Sequence, residues 1–359
     1  MLTKTPDNSS LLATRQPMTI MLVRPDGLGD EILCLPVATM LRRCFSQARI
    51  LFLSSSNAAP VLEHHPDIDE ILTTTGHDSF GKIVDLFRGV DAVIFLKPFR
   101  RLMVAAFLAR IPVRVATGTR WYSVFANRRI YQHRSDFAHH ESEYNLQLLA
   151  GLGMKPGPFV RPRLVVTTSE REWAEVRLAG LPKPRILIHP GGLSARHWRM
   201  QHFWDLTQQL VRKGYGVILT GSEAEHKRWE QECGQLSGLR TNILDLTGQL
   251  SVRELMAIIE TSQVVVSGAT GPAHIAAALD VPTVSIYDPR RNNTPIRWRP
   301  LGKGLLLKPD VPTCEKCIYE ACPYWDCLDQ VTVEEVAMSI EEVLARSVWY
   351  RSASHTINI

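Results

Sequence analysis

At 359 residues, with 45% apolar and 21% charged side chains, the chain has an ordinary globular composition that excludes disordered and fibrous classes. It is longer than one core usually serves, so two domains are expected. Residues 1–18 lack an apolar signal segment and no stretch reaches the roughly 18 apolar residues of a spanning helix, so the reading is a cytoplasmic protein.

The net charge of +5 is modest but unevenly placed. Residues 92–135 contain no Asp or Glu, while Lys97, Arg100, Arg101, Arg110, Arg114, Arg120, Arg128, Arg129 and Arg134 all fall there. A stretch this one-sided suits an anionic partner such as a phosphorylated glycolipid, an anionic membrane surface or a nucleic acid; the alternative is a solvated face. Trp121, Tyr122, Phe125 and Tyr131 interleave with the arginines, to stack on sugars or bases or simply to pack.

In chain order, residues 19–24 read as a short buried strand, followed by the loop Pro25-Asp26-Gly27-Leu28-Gly29-Asp30 and a helix over about residues 31–44. A strand near 48–56, a helix at 80–88, the strand at 91–96 and a helix at 100–110 continue the alternation. Strands alternating with helices predict a parallel, doubly wound α/β sheet. After the helix-like segment 139–153 come two Pro-rich stretches, 155–163 and 181–184, where the chain changes domain. A second βα series then runs from residue 185, with capping boxes at Ser251-Val-Arg-Glu254 and Thr332-Val-Glu-Glu335. The expected organisation is an extension at 1–18, a first domain at 19–165, a linker at 166–184, a second domain at 185–331, a helix at 332–347 and a tail at 348–359. The two similar halves are expected to face each other across a cleft.

Three loops at strand carboxyl ends carry unusual residues. The first, from Arg24 to Glu31, superficially looks like a dinucleotide fingerprint. Ile32 stands where the third glycine belongs, and the next strand ends in Ser54-Ser55-Ser56 rather than in an acid, which argues against NAD. Asp30 then stands at a glycine turn as a general base or as a helix cap. The second loop, His189-Pro190-Gly191-Gly192, is followed by Ser194, Arg196, His197 and Trp198. It suits a diphosphate, shared between N–H groups and a guanidinium, or is a turn with a surface arginine. The third, Gly268-Ala269-Thr270-Gly271-Pro272, leads into an Ala-rich helix carrying His274. Such a turn offers backbone N–H groups and a helix N-terminus to an anion, and Pro272 suits the first helical turn; an ordinary strand-to-helix turn has the same pattern. His274 is a diphosphate contact or a core histidine.

Seven cysteines without a signal peptide do not form a secreted framework. Cys314, Cys317, Cys322 and Cys327 are spaced C-x2-C-x4-C-x4-C, compact enough for one structural zinc or iron ion, the alternative being a reduced, packed loop.

Taken together, residues 24–43, 139–153, 189–198, 216–226 and 267–289 resemble glycosyltransferase family 9, the bacterial heptosyltransferases, over roughly residues 19–345. The resemblance implies the GT-B fold, two Rossmann-like domains facing a central cleft. It implies an inverting, metal-independent transferase with no required cofactor. The first domain would take a lipid-linked phosphorylated glycan, a growing lipopolysaccharide core, and the second a nucleotide sugar, ADP-heptose. Such an enzyme would work at the inner face of the bacterial inner membrane, without nucleic acid. Carried onto this chain, Asp30 matches the catalytic base, Arg196 the diphosphate-holding cation and Glu223 a nucleoside contact. Thr270, Gly271 and His274 match the donor loop, with His189, Gly191, Gly192 and Pro272 around them. On the acceptor side the candidates are Arg24, Lys97, Arg100 and Arg120. The departure is Ala269, where many relatives carry an Asp able to bond sugar hydroxyls; an altered specificity or a non-catalytic glycan- or nucleotide-binding relative is the alternative function.

Overall fold

The computed structural model describes residues 18–155, 159–192, 196–233 and 241–353, and divides into two compact units, Met1–Arg163 and Leu164–Ile359. Each unit is built on one six-stranded parallel sheet with helices as crossovers. In the first, β1 (Thr19–Val23), β2 (Arg49–Ser55), β3 (Glu70–Thr74), β4 (Ala92–Phe95), β5 (Val113–Thr117) and β6 (Arg128–Ile130) lie in the order β3-β2-β1-β4-β5-β6. In the second, β7 (Arg185–His189), β8 (Gly216–Leu219), β9 (Ile243–Asp245), β10 (Val264–Gly268), β11 (Thr283–Ile286) and β12 (Gly304–Leu307) lie in the order β12-β11-β10-β7-β8-β9. The two orders are the same winding. Each reverses between its first and fourth strands, β1 beside β4 and β7 beside β10. In sheets of this kind ligands bind beyond the carboxyl ends of the strands at that reversal.

Helices cover both faces of such a sheet, so its central strands are apolar throughout rather than alternating. Every residue of β7 is buried, as are Ile20, Met21, Leu22 and Val23 of β1. In the second unit Ile186, Ile188, Val264 and Val266 pack with Phe203, Leu206 and Leu210 of the helix Met200–Arg212. The last helix, Val333–Ala353, adds Val336, Ile340 and Val343 to the same core, along the apolar stripe that the sequence shows. The expected capping box at Ser251 is complete, with Ser251 Oγ accepting from the Glu254 N–H at 3.3 Å and Glu254 Oε2 from the Ser251 N–H at 2.7 Å, and at the last helix Thr332 Oγ1 accepts from the Glu335 N–H at 3.1 Å.

Several boundaries differ from expectation. The helix expected at 31–44 is two helices, Leu28–Ile32 and Leu35–Cys44, because Pro36 cannot supply the N–H that would continue the first. Residues 166–184, expected as a linker, contain the helix Thr168–Arg177, which packs on Val252–Glu260 within the second unit. Glu170 and Arg253 pair at 2.5 Å and Arg171 and Glu260 at 2.6 Å across that contact. The final helix passes residue 347 and runs to Ala353, while residues 1–17 and 354–359 of the expected extension and tail lie outside the described residues. Among the described residues no helix is long and apolar enough to cross a membrane.

Candidate functional site

The turn after β1 places Asp30 inside the helix Leu28–Ile32, whose N-cap is Gly27. Asp30 therefore does not cap; its carboxylate pairs with the guanidinium of Arg24. Arg24 is buried, with its side chain 3% exposed, and Nη1 donates to Glu141 Oε1 at 3.0 Å and to the Leu96 carbonyl at 3.4 Å. Its Nε lies 3.6 Å from Asp26 Oδ2, and Lys97 pairs with the same Asp26 carboxylate. Glu141 also accepts from Arg134 Nη1 at 2.7 Å. The Arg24, Asp26, Asp30, Lys97, Arg134 and Glu141 side chains thus form one charged network, with Lys97 just beyond β4, at the reversal of the first sheet.

Burial pushes the Asp30 carboxyl above the usual range, and the Arg24 charge only partly offsets it. Burial by itself would depress Arg24, but Asp30, Cys34, Glu141 and Asp26 outweigh it and hold the guanidinium charged. Beside them Glu31 is fully enclosed; burial pushes it up to about 8 despite hydrogen bonds from Ser54 Oγ at 2.6 Å and the Ser55 N–H at 3.1 Å. The serines at the end of β2, where a dinucleotide enzyme would carry a ribose-binding acid, are thus held by Glu31. Arg100 and Arg120 lie exposed on the same unit and make no ion pair among the described residues.

The second unit brings the loops after β7, β8 and β10 together. A Cβ on Gly191 would fall 1.6 Å from Glu225 Oε1, and one on Gly192, at φ +151°, 2.5 Å from Thr270 Cγ2. The glycines permit this close approach. Glu225, which the sequence does not single out, accepts from the Gly192 N–H at 2.8 Å and the Ser222 N–H at 2.6 Å. Ser222-Glu-Ala-Glu225 has capping-box spacing, the one sequence signal that could have drawn attention to it. Glu223, two residues earlier, is exposed and pairs with Lys227 at 2.7 Å. His189 Nδ1 lies 3.1 Å from Thr220 Oγ1 and its Nε2 4.0 Å from Glu225 Oε2. Burial depresses the His189 ring, and hydrogen bonds from Ser222 and the Gly192 N–H hold the Glu225 carboxyl low against its own burial.

Thr270 is the N-cap of the helix Gly271–Ala278, with Pro272 in the first turn, yet its side chain does not bond the helix. Its Oγ1 is buried with no hydrogen-bond partner among the described residues. His274 is buried within that helix. The N–H groups at this helix start that lack a side-chain cap and the partnerless Thr270 hydroxyl form a cradle of donors that an anion could accept from, while the backbone of Gly191 and Gly192 is met by Glu225 and Thr270.

Arg196 has its backbone N–H on Asp288 Oδ2 at 2.9 Å, at the end of β11. Its guanidinium turns to the cysteine segment: it lies 4.6 Å over the Trp325 ring, donates to Asp326 Oδ1 at 3.1 Å and to Cys317 Sγ at 3.5 Å. Ser194 of this loop lies outside the described residues. Cys314, Cys317, Cys322 and Cys327 are free thiols, and among the described residues no three His, Cys, Asp or Glu side chains form a group that could hold a metal ion. The expected metal knuckle is therefore not assembled here: Cys327 is buried in the core at the start of a turn, while Cys317 takes a hydrogen bond from Arg196. Asp67-Ile68-Asp69 has the Asp-x-Asp spacing of a metal-binding transferase motif, but Asp67 accepts from Thr39 at 2.6 Å and Asp69 from the Ile50 N–H and Arg42, both at 2.6 Å.

The profile of glycosyltransferase family 9 (heptosyltransferase) matches residues 86–322, and the chain belongs to this family. A Haemophilus influenzae protein described only as a glycosyltransferase is 27% identical over 299 residues, 79% of this chain and 86% of that one. Lipopolysaccharide heptosyltransferase 2 of Salmonella typhimurium is 24% identical over 76% of this chain and 83% of its own. Among solved structures, E. coli ADP-heptose lps heptosyltransferase II superposes with a TM-score of 0.76 at 21% identity, covering 92% and 99% of the two chains. That likeness shows the fold, GT-B with its two parallel sheets.

Proposed function

We propose that this chain transfers a heptose from ADP-heptose to a hydroxyl of a lipid-linked phosphorylated glycan, a lipopolysaccharide core, with inversion and without a catalytic metal. The observation that carries this reading is the anion cradle of the second unit, where the buried Thr270 hydroxyl stands partnerless at an uncapped helix N-terminus beside Gly191 and Gly192. A nucleoside diphosphate supplies the oxygens that such a cradle lacks.

In the proposed step the acceptor oxygen attacks the anomeric carbon from the face opposite the diphosphate. The new carbon–oxygen bond forms as the bond to the β-phosphate breaks, and ADP leaves with the electron pair. Asp30 receives the acceptor proton. Burial raises the Asp30 carboxyl above its ordinary range, which makes its carboxylate a stronger base, and the Arg24 guanidinium beside it favours the ionised form. Arg196 and the N–H groups from Gly271 onward offset the charge that develops on the leaving diphosphate. Lys97, Arg100 and Arg120 are the cations for the acceptor phosphates, and the basic run at 92–135 draws the protein to the anionic inner face of the membrane.

Ala269 supports a second reading, a relative that binds nucleotide or glycan without transfer, or one with another sugar, because alanine cannot bond a sugar hydroxyl. One experiment separates these. ADP, UDP, GDP and CMP are compared by thermal shift, and transfer from the matching nucleotide sugar is then followed for the native chain and Asp30→Ala. Stabilisation by ADP with transfer lost only in the variant supports the proposal. Preference for another nucleotide overturns the donor, and binding without transfer overturns the enzyme.

A further inference from the structure

We propose that His197 is a further contact of the donor diphosphate and takes up a proton when that diphosphate binds. The inference rests on the reading of the cradle around Thr270 as the donor site. While the Arg196 guanidinium turns to Asp326 and Trp325, the ring of the next residue, His197, lies against the glycine loop. A Cβ on Gly192 would stand 3.0 Å from His197 Cε1, 3.7 Å from its Nδ1 and 2.5 Å from Thr270 Cγ2. The imidazole and the threonine thus converge on one α-carbon. Of the two, Thr270 carries the buried hydroxyl that has no hydrogen-bond partner among the described residues.

Charge gives the ring its task. The N–H groups and the hydroxyl of the cradle are neutral, and Glu225 brings a carboxylate to the same loop, with Oε1 2.8 Å from the Gly192 nitrogen. A diphosphate entering there meets that negative charge, and a proton on His197 offsets it. The charged and titratable groups that act on the ring are Arg228 and Glu225 of the helix Glu223–Cys233, Asp288 beyond β11 and His189 of β7. Arg228 is paired with Glu232 at 2.6 Å and Asp288 with Arg290 at 2.8 Å. Burial and the Arg228 charge depress the ring against Glu225, the Gly192 backbone and Asp288, so the empty site holds a neutral imidazole at pH 7.5. An anion within about 4–6 Å raises a cationic group's pKa by about one to three units, which carries His197 into the neutral range. His189 and His274 are buried, and His189 Nδ1 lies 3.1 Å from Thr220 Oγ1. His197 is half-buried, so its ring is open to the water that supplies the proton.

The test is calorimetric titration of the full chain with ADP at pH 7.5 in Hepes and in Tris, whose ionisation enthalpies differ. The dependence of the observed enthalpy on the buffer counts protons taken up. The terminal phosphate of ADP has its second ionisation near pH 6, so the nucleotide contributes little there and equally in every variant. The native chain is expected to take up about half a proton per ADP, and His197→Asn and His197→Gln close to none. Both variants weaken ADP about fivefold at pH 7 and less at pH 8.5, where the native ring no longer gains its proton. The native chain alone gives a second readout, ADP affinity that rises as pH falls from 8.5 to 7. ADP binding without proton uptake, a flat native profile, or uptake that persists in both variants and so belongs to another histidine overturns this inference and leaves the donor reading standing. Absence of ADP binding overturns the donor reading and this inference with it.

Discussion

Arg24 Nη1 and Glu141 Oε1 meet at 3.0 Å although 117 residues separate them in sequence. The contact joins the turn after β1 to the N-terminus of the helix Glu141–Gln147, whose capping box orients Glu141 at the first helical position. Because Glu141 is 1% exposed and also bound by Arg134, it fixes Arg24, and Arg24 in turn faces Asp30. A buried charge cluster of this kind costs desolvation and is stable only with its partners complete.

Replacing Asp30 by Asn is expected to lower turnover roughly a hundredfold or more, the usual weight of a general base, while ADP affinity is kept. Glu141→Gln acts differently. The Glu141 charge opposes ionisation of Asp30, so removing it lowers the Asp30 pKa. Activity requires the ionised base and is lost as pH falls through that pKa. The acid limb of kcat/KM against pH therefore moves to lower pH in Glu141→Gln; an unmoved limb with only a lower melting temperature would assign Glu141 to stability alone.

Glu31 gives the fold a pH dependence of its own. Its folded pKa of about 8 lies above the ordinary 4.5, so the native state binds the extra proton between those values and stability falls as pH rises through the window. From pH 5 to 7 this one group accounts for on the order of 3 kcal/mol. Glu31→Gln keeps the shape and removes the titration. Urea unfolding at pH 5 and pH 7 should show the native chain losing stability and the variant losing much less; parallel losses would show that Glu31 is ionised throughout.

The strands, the doubly wound halves and the loops at strand ends were legible because they are local: apolar runs of four or five residues, glycines beside them, and capping boxes at fixed spacing. What was not legible depends on phase and distance. Glu223 and Glu225 differ by two positions, which on a helix puts them on different faces, so one pairs with Lys227 outside while the other reaches Gly192. Glu141 and Arg134 carry no local mark of Arg24. The partners of Arg196, Cys317 and Asp326, lie 121 and 130 residues further on, and a motif read along the chain cannot show where a guanidinium will turn.

Glu225→Ala and Glu223→Ala should separate the two acids. The first leaves the Gly192 and Ser222 N–H groups without their acceptor and frees the glycine loop beside Thr270. A lower melting temperature and about tenfold weaker ADP binding are expected, the cost of a charged hydrogen-bond acceptor removed from a half-buried loop. Glu223→Ala loses an exposed pair only, and its melting temperature should match the native chain. Calorimetric titration with ADP reads whether Glu223 touches the nucleoside; equal losses in both variants would mean that the loop geometry set by Glu225 does not govern the donor site.

Arg196 offers a sharper test because its guanidinium is held by groups that have no other reason to affect nucleotide binding. Trp325 lies under it at 4.6 Å and Asp326 accepts from it at 3.1 Å. A cation over a partly exposed ring is worth about 0.5–1 kcal/mol, so Trp325→Ala should weaken ADP binding two- to fivefold by releasing Arg196. Arg196→Lys should not restore the native value, since an ammonium neither stacks as a plane nor bonds Asp326 and Cys317 together. The decisive measurement is the double-mutant cycle. If Trp325 acts through Arg196, Trp325→Ala has no further effect once Arg196 is alanine, whereas additive losses would show that the ring reaches the nucleotide, or the fold, by a separate route.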